Sequence, residues 1–329
     1  MTRIAVALGG NALIQRGEPG STEVQRHNLE IAARALVDLA ERSGAELILT
    51  HGNGPQVGLL AIAAEMAAEV VPERPLDVLG AESQGQIGYL MSQALHAAFL
   101  ERGIRREIAV VVSQVVVRSD DPAFANPTKP VGPVYDEATA RDHAATRGWS
   151  IAPDGRHWRR VVPSPRPLRL VEASSVRSLV EAGILVVASG GGGIPVAELP
   201  DGRYEGREAV IDKDLAAVVL ARAVGAEGLL LLTDVDAVYR GWGSTESEAI
   251  RRMSIEEAFE GLAGNAWPSG SMGPKVRACA EFVRGGGRFA AIGRLQDAAA
   301  LAWGRAGTRF GSGRLGLPPF TVPAVARPD

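Results

Sequence analysis

Short apolar runs recur along this chain, and three of them lead into glycine-rich loops. Ile184–Ala188 is apolar, β-branched and too short for a helix, which predicts a strand buried on both faces, and Gly190–Gly193 follow it. The same order appears in IAVALGGNAL (4–13) and LILTHGNGPQVG (47–58). A single glycine cluster would more often be a flexible surface loop. Because ligands of open parallel sheets bind beyond the carboxyl ends of the strands, the recurrence predicts one shared anion site.

Amphipathic helices separate these strands, and the alternation predicts a parallel sheet covered on both faces by helices. Thr22 and Gln25 form a capping-box pattern that opens a helix, and Gly44 suits its carboxyl end. Pro55 suits the first turn of the next helix. The further predicted elements are a helix over about Asp77–Arg102, a strand over Ile108–Val117, a helix over Glu172–Ala182, a hairpin-like segment over Asp201–Arg207, a helix from near Asp212, a strand over Leu229–Leu232, helices over Ser254–Leu262 and Gly270–Val283, and a strand over Phe289–Ile292.

The alternation breaks between Arg118 and Arg166, where prolines and charges are dense and no clean periodicity remains. Connections of this length are usually functional or disordered. Trp149 and Trp158 favour a small folded excursion, which we expect to stand over the sheet edge as a lid-like subdomain. Residues 118–166 are called the lid segment below. The proline-rich tail from Gly311 is expected to be irregular or disordered.

Composition narrows the classes of function. With 46% hydrophobic and 22% charged residues and a net charge of −3, the chain gives no reason to expect nucleic acid or an anionic membrane as a partner. Cys279 is the only cysteine, so an intrachain disulfide is excluded and a cytoplasmic location is expected. No signal peptide or membrane-spanning run is evident. The five histidines lack metal-ligand spacing and are expected on the surface or in loops. We expect His51, Cys279, Trp149 and Met272 to be structural.

The helix start near Asp212 carries the first candidate chemistry. Asp212 and Asp214 could simply cap a helix and complement its dipole. Lys213 opposes that dipole, which makes sense mainly if an anion lies nearby. A competing nucleotide motif is set aside: FGSGRLG (310–316) has the G-x-G-x-x-G spacing, but neither a buried strand before it nor a helix after it is evident from the sequence.

Nine strings, taken together, resemble the carbamate kinases of the amino-acid-kinase fold. They occur in the order of that family and cover the chain to about Gly307. The strings are ALGGNAL, THGNGPQVG, QGQIGY, NPTKPVGP, WRRVVPSP, SGGGGIPV, EAVIDKDLA, LTDVD and GSMGPK.

The resemblance implies a fold and an activity. The fold is an open α/β/α sandwich around a mainly parallel sheet: a single domain over residues 1–310, with the lid segment protruding and the tail over 311–329. Roughly, 1–200 would be the lobe for carbamate or carbamoyl phosphate, and 201–310 the nucleotide lobe. The activity is reversible phosphoryl transfer between ATP and carbamate, with Mg²⁺ bound through the nucleotide phosphates. A homodimer is also implied.

The resemblance also implies roles for individual residues. Phosphoryl transfer needs positioning and positive charge around the equatorial oxygens, and carbamate is already an anion, so no general base is needed. Lys129, Lys213 and Lys275 would supply the cations, and Asp214 would orient the lysines. Backbone amides at the first two glycine loops would hold the phosphoryl group and carbamate. The catalytic set also includes Gly9, Gly10 and Asn11; the substrate-binding set is Gly52, Asn53, Gly54, Gly190, Gly191 and Gly192; the nucleotide-binding set is Asp212, Thr233, Asp234, Val235, Tyr239, Met272 and Gly273.

Some positions depart from the family pattern, and two other functions stay open. The departures are His157 before WRRVVPSP, Glu82-Ser83 before QGQIGY, and Trp267-Pro268-Ser269 before GSM. They bear on the resting position of the lid segment and on substrate choice. The chain could instead be another small-acceptor kinase of this fold, or a nucleotide-binding relative without catalysis. The presence of all three lysines with Asp214 argues against the second alternative.

Overall fold

The structure, a computed structural model, describes residues 2–10, 13–14, 18, 20–268 and 270–311. Asn11 and Ser269 lie outside the described residues, and so does the predicted tail from residue 312 onward.

The described residues contain strands β1 (Arg3–Leu8), β2 (Glu46–His51), β3 (Ile108–Val110), β4 (Gln114–Val116), β5 (Lys129–Tyr135), β6 (Ser150–Asp154), β7 (His157–Val162), β8 (Arg169–Leu170), β9 (Leu185–Val187), β10 (Ile194–Glu198), β11 (Tyr204–Gly206), β12 (Gly228–Thr233), β13 (Val238–Arg240), β14 (Glu248–Ile250), β15 (Arg252–Met253), β16 (Phe289–Arg294) and β17 (Thr308–Phe310). The helices are α1 (Thr22–Ser43), α2 (Gly54–Met66), α3 (Leu76–Glu101), α4 (Glu137–Arg147), α5 (Ala173–Glu181), α6 (Lys213–Ala223), α7 (Ile255–Ala263), α8 (Met272–Arg284) and α9 (Ala298–Ala302).

The main sheet has eight strands in the order β15-β17-β16-β12-β1-β2-β9-β3. Its ladders are parallel except for the β16–β17 pair. The predicted mainly parallel α/β fold is therefore confirmed. Since parallel strands end at the same edge, the loops after β1, β2, β9 and β12 lie side by side.

Two cores lie on opposite faces of this sheet. Successive side chains of a strand point to opposite faces, so Ile4 and Val6 pack with α1, α3 and α9, while Ala5 and Ala7 pack with α5 to α8. Because apolar side chains fill both faces, the central strands read as continuous apolar runs in the sequence. The alternation of strands and helices along the sequence predicts this arrangement, with helices on both faces of the sheet.

Two local predictions are wrong. Helix α1 is capped by Ser21, whose Oγ accepts a hydrogen bond from the amide of Val24, whereas Thr22 is already helical. The predicted strand Ile108–Val117 is two strands in two different sheets. The break lies at Ser113, whose backbone N–H and carbonyl both bond the side-chain amide of Gln84 at 2.8 and 3.1 Å. These side-chain hydrogen bonds replace a strand partner there.

The lid segment is folded. Strands β5, β7 and β6 form a separate antiparallel sheet, and α4 connects β5 to β6. Strand β5 runs along α2, where a methyl group added at Gly58 would lie 3.5 Å from the Cα of Gly132. The glycine pair thus allows the close approach that brings the lid segment to the helix starting at the second glycine loop.

Candidate active site

Lys213, Asp214 and Lys275 form a buried ion-pair cluster. Lys213 Nζ donates to Asp214 Oδ1 at 2.6 Å, and Lys275 Nζ donates to Asp214 Oδ2 at 3.2 Å. The side chain of Asp214 is only 4% exposed, and those of the two lysines are 16% and 13% exposed. Each carboxylate oxygen therefore accepts a hydrogen bond from one ammonium group, and the orienting role that the family resemblance implies for Asp214 stays a prediction.

Two helix starts bring these groups together from distant parts of the chain. Lys213 is the first residue of α6, and Lys275 lies in the first turn of α8. A helix start carries partial positive charge, so an ammonium group there is unfavourable unless an anion compensates it. Asp214 supplies one negative charge for two lysines, so these three groups together carry one positive charge, and the charges of Asp212 and Asp234 also act on Lys275.

Burial and charge act in opposite directions on these groups. Burial by itself raises the pKa of Asp214, but the charges and hydrogen bonds of the two lysines outweigh it and lower that pKa to about 2. Burial lowers the pKa of Lys213; the charge of Asp214 opposes this shift and that of Lys275 adds to it. Burial also acts to lower the pKa of Lys275, but Asp214 raises it above its ordinary value. Asp214 is thus an anion at every physiological pH.

Lys129 reaches the same place from the lid segment. Its Nζ lies 3.1 Å from Asp212 Oδ2, while Asp212 Oδ1 accepts hydrogen bonds from the amides of Asp214 and Leu215. Asp212 thus caps α6 and also binds the lysine at the start of β5. The carboxylate of Asp212, placed in the nucleotide-binding set from the sequence, is occupied by these contacts.

The first two glycine loops meet beside Lys213. A methyl group added at Gly52 would lie 3.2 Å from both the amide nitrogen of Gly10 and Cδ of Lys213. The amide of Gly9 donates to the carbonyl of Leu232 at 2.9 Å, and that of Gly52 donates to Leu8 at 3.0 Å. Both amides thus extend the ladders of the sheet and already have a backbone partner, which does not favour the expectation that they bind the substrate. Their lack of side chains still permits the close approach of β1, β2 and Lys213.

Gly10 and Gly54 differ from those two glycines. Apart from hydrogen bonds within helices and strands, the amides of Gly10 and Gly54 donate to no backbone carbonyl in the described part of the chain. Gly54 is the first residue of α2, where amide groups lack partners within the helix and favour anions. Asn11, predicted to act with them, lies outside the described residues.

The third glycine loop packs between β2 and α6. Gly191, Gly192 and Gly193 have φ of 67°, 96° and 84°, which residues with side chains rarely adopt. A side chain at Gly191 would overlap Asn53, and one at Gly192 would overlap the carbonyl of Ile211. The amide of Gly192 donates to Ser189, so that donor is also occupied. This loop therefore adjoins both the second loop and the start of α6.

The predicted nucleotide-binding residues lie at the end of β12 and on the approach to α8. A methyl group added at Gly9 would lie 3.8 Å from the Cα of Thr233, so the first loop adjoins this region. Thr233 Oγ1 lies 3.0 Å from Asp234 Oδ1, and the charge of Asp234 acts on Lys275. Tyr239 is held by Trp267, whose indole N–H donates to its carbonyl at 3.1 Å. Val235 follows Asp234 in the same loop.

Met272 and Gly273 begin α8. The side chain of Met272 packs against the core, in agreement with a structural role. The amide of Gly273 donates to Pro268 at 2.9 Å, which fixes the turn before the helix. Trp267, which departs from the family pattern, thus joins the two halves of this region through its contact with Tyr239.

Sequence reasoning missed two features behind the loops. His51 was expected on the surface or in a loop, but it ends β2 and is buried, and burial lowers its pKa to about 4. Its Nδ1 lies 2.9 Å from the carbonyl oxygen of Gly52. Asn53 donates through Nδ2 to Ser83 on α3 at 2.8 Å. Nothing in the sequence pattern indicates that α3 contacts this loop.

The described residues include no group of three or more His, Cys, Asp or Glu side chains that could hold a metal ion. None of the helices described is both long and apolar enough to cross a membrane.

Comparisons with known proteins agree with this geometry. The model of the amino acid kinase family matches residues 2–293. The carbamate kinase of Pyrococcus horikoshii is 46% identical over 310 residues, which cover 93% of this chain and 98% of that protein. The carbamate kinase of Halobacterium salinarum is 49% identical over 311 residues, covering 94% and 98%. The structure of carbamate kinase from Giardia lamblia bound to AMP-PNP is 40% identical with a TM-score of 0.87, covering 94% of this chain and 98% of that one. This chain therefore belongs to the amino acid kinase family and, within it, to the carbamate kinases.

Proposed function

We propose that this chain catalyses reversible phosphoryl transfer between ATP and carbamate, giving ADP and carbamoyl phosphate. One observation supports this more than any other: Lys213 and Lys275 are held by a single carboxylate beside three glycine loops. Membership of the carbamate kinase family makes the chain a kinase. The geometry supplies the reason why this particular transfer suits it.

The cluster answers the main electrostatic demand of the reaction. Carbamate and the leaving ADP are both anions, so the transferring phosphoryl group moves between two negative groups. Positive charge fixed around that group stabilises the transition state without reorganisation. Lys213 and Lys275 supply this charge, and Asp214 holds their ammonium groups at fixed positions. No general base is needed, because carbamate has no proton to lose from the attacking oxygen.

The glycine loops supply space and a few donors. Gly9 and Gly52 let the first two loops and Lys213 pack closely together, and the amides of Gly10 and Gly54 donate to phosphoryl or carbamate oxygens. Lys129 is the third cation; it exchanges Asp212 for the phosphoryl group when substrates bind. The lid segment moves relative to the sheet to deliver it.

The nucleotide lies over the carboxyl ends of β12 and β1, between Asp234–Tyr239 and the start of α8. Mg²⁺ fits this site as a companion of the nucleotide phosphates. The buried Asp214 carboxylate is occupied by two lysines and is not a metal ligand. When bound, Mg²⁺ would neutralise charge on the β- and γ-phosphates.

A coupled assay tests the proposed function. Purified protein is incubated with ADP, Mg²⁺ and carbamoyl phosphate, and ATP formation is followed with a luminescent or NADPH-linked readout. We expect ATP formation that depends on carbamoyl phosphate. Activity only with acetyl phosphate, or only with an amino-acid or nucleotide acceptor in the forward direction, would show that carbamate is not the substrate.

A further inference from the structure

Glu65, near the end of α2, contacts several side chains of the lid segment. The phenol of Tyr135 donates to Glu65 Oε2 at 3.1 Å. His143 Nε2 lies 3.2 Å and Arg147 Nη2 lies 3.7 Å from Glu65 Oε1. Three side chains of the lid segment therefore converge on one carboxylate. None of these four residues belongs to the strings that carry the family resemblance.

Ring packing reinforces this contact. The rings of Tyr135 and His143 meet edge to face with centroids 5.0 Å apart, and His143 lies 5.0 Å from the ring of Trp149. The guanidinium of Arg147 stands 5.4 Å from the centroid of Trp149 and also bonds Glu73 at 2.5 Å. The side chains of Glu65 and His143 are 21% and 15% exposed. The contact is thus partly shielded from water, and hydrogen bonds of charged groups are stronger in such shielded places than in water.

The same strand connects this contact to the candidate active site. Strand β5 starts at Lys129, which bonds Asp212, and ends at Tyr135, which bonds Glu65. A strand of this length spans roughly 20 Å. Helix α2 lies alongside β5 and runs from Gly54, at the second glycine loop, towards Glu65. The pairing of β5 with β7 shifts register between Val131 and Val134, but the strand is continuous from Lys129 to Tyr135, so we expect a movement at one end of β5 to reach Lys129 at the other.

We propose that Glu65 is a positioning residue that seats the lid segment on α2 and so sets the position of Lys129. This inference rests on the proposed function for its kinetic consequence only. Its structural part concerns the equilibrium between seated and unseated states of the lid segment in the free protein.

Glu65→Gln removes the charge and keeps the shape of the side chain. We expect the ratio of seated to unseated states to fall about tenfold, which corresponds to about 1.4 kcal/mol. Glu69→Gln is the matched control: Glu69 is exposed, follows Glu65 by four residues, and makes no ion pair or side-chain hydrogen bond with any described residue. Hydrogen exchange of the amides of β5 should be faster in Glu65→Gln than in the wild type and unchanged in Glu69→Gln.

A double-mutant cycle separates positioning from a general structural effect. Glu65→Gln should lower kcat by up to about tenfold in the wild-type background, with the KM for ADP changed less than twofold. In a Lys129→Ala background it should have no further effect on kcat, because Glu65 acts through Lys129. Additive losses in the two variants, or an equal loss in Glu69→Gln, would overturn the proposal.

The exchange experiment needs no substrate, so the two proposals fail separately. If the wild-type protein forms no ATP from carbamoyl phosphate and ADP, the proposed function is refuted. The exchange comparison still tests whether Glu65 seats the lid segment on α2. If the amides of β5 exchange at equal rates in the wild type and in Glu65→Gln, the proposed role of Glu65 is refuted, even in a protein that forms ATP.

Discussion

Replacing Asp214 by Asn removes the charge that holds both lysines and keeps the shape of the side chain. The lysines lower the pKa of Asp214 from 3.8 to about 2. This lowering corresponds to about 2 kcal/mol of stabilisation at neutral pH. Two ammonium groups would also lose their buried counter-charge, and breaking buried pairs costs about 3–5 kcal/mol. We therefore expect Asp214→Asn to lower the free energy of unfolding by about 2–5 kcal/mol.

The direction of the pH dependence follows from the same shift. Because the pKa is lowered in the folded state, the stabilisation is present above about pH 4 and is lost as the pH falls towards 2. Urea unfolding of wild type and Asp214→Asn at pH 7 measures the difference directly. Asp120→Asn is the control, because Asp120 forms an exposed ion pair with Arg118 and its replacement should leave the free energy of unfolding almost unchanged. Equal unfolding free energies of wild type and Asp214→Asn at pH 7 would refute the reasoning.

Three further predictions follow from the fold and the loops. Hydrogen exchange in the lid segment (118–166) should slow when ADP and carbamoyl phosphate are added together, and equal exchange in both states would argue against a lid. Burial lowers the pKa of His51 to about 4, so the free energy of unfolding should fall by about 3 kcal/mol as the pH drops from about 6.5 towards 4. Urea unfolding of His51→Gln should lack this fall, and the same pH dependence in wild type and variant would contradict the prediction. Gly52→Ala should lower kcat at least about tenfold by displacing Lys213, whereas Gly85→Ala on α3, where an added methyl group contacts nothing, should not; similar kcat values would contradict this packing argument.

Much of the fold could be predicted because its central strands are buried on both faces. Apolar runs such as Leu229–Leu232 and Phe289–Ile292 have no other stable place in a soluble fold, and the structure contains both as strands β12 and β16. The family resemblance implied that Lys213 and Lys275 meet at Asp214, and the two hydrogen bonds of that carboxylate agree with it. The dipole argument by itself predicted only an anion near each lysine.

The rest depends on contacts between residues that are distant in sequence. The break at Ser113 comes from the side chain of Gln84, and the apolar run over Ile108–Val117 gives no sign of it. The short strand β17 pairs antiparallel with β16 and carries no periodicity of its own. The contacts of Glu65 arise from the path of the lid segment, whose irregular sequence does not reveal them. Such contacts are tertiary, and local patterns do not encode them.

The most direct test of the central claim is the kcat of Lys213→Ala and Lys275→Ala in the direction of ATP formation. By analogy with the loss of one preorganised donor, each variant should lower kcat on the order of 10²–10³-fold, with a smaller effect on ADP binding. Melting temperatures of the variants should be measured alongside, so that loss of fold is not mistaken for loss of catalysis. Near-normal kcat in variants with near-normal melting temperatures would contradict the account, because the lysines would then be charged groups at helix starts with no part in the transfer.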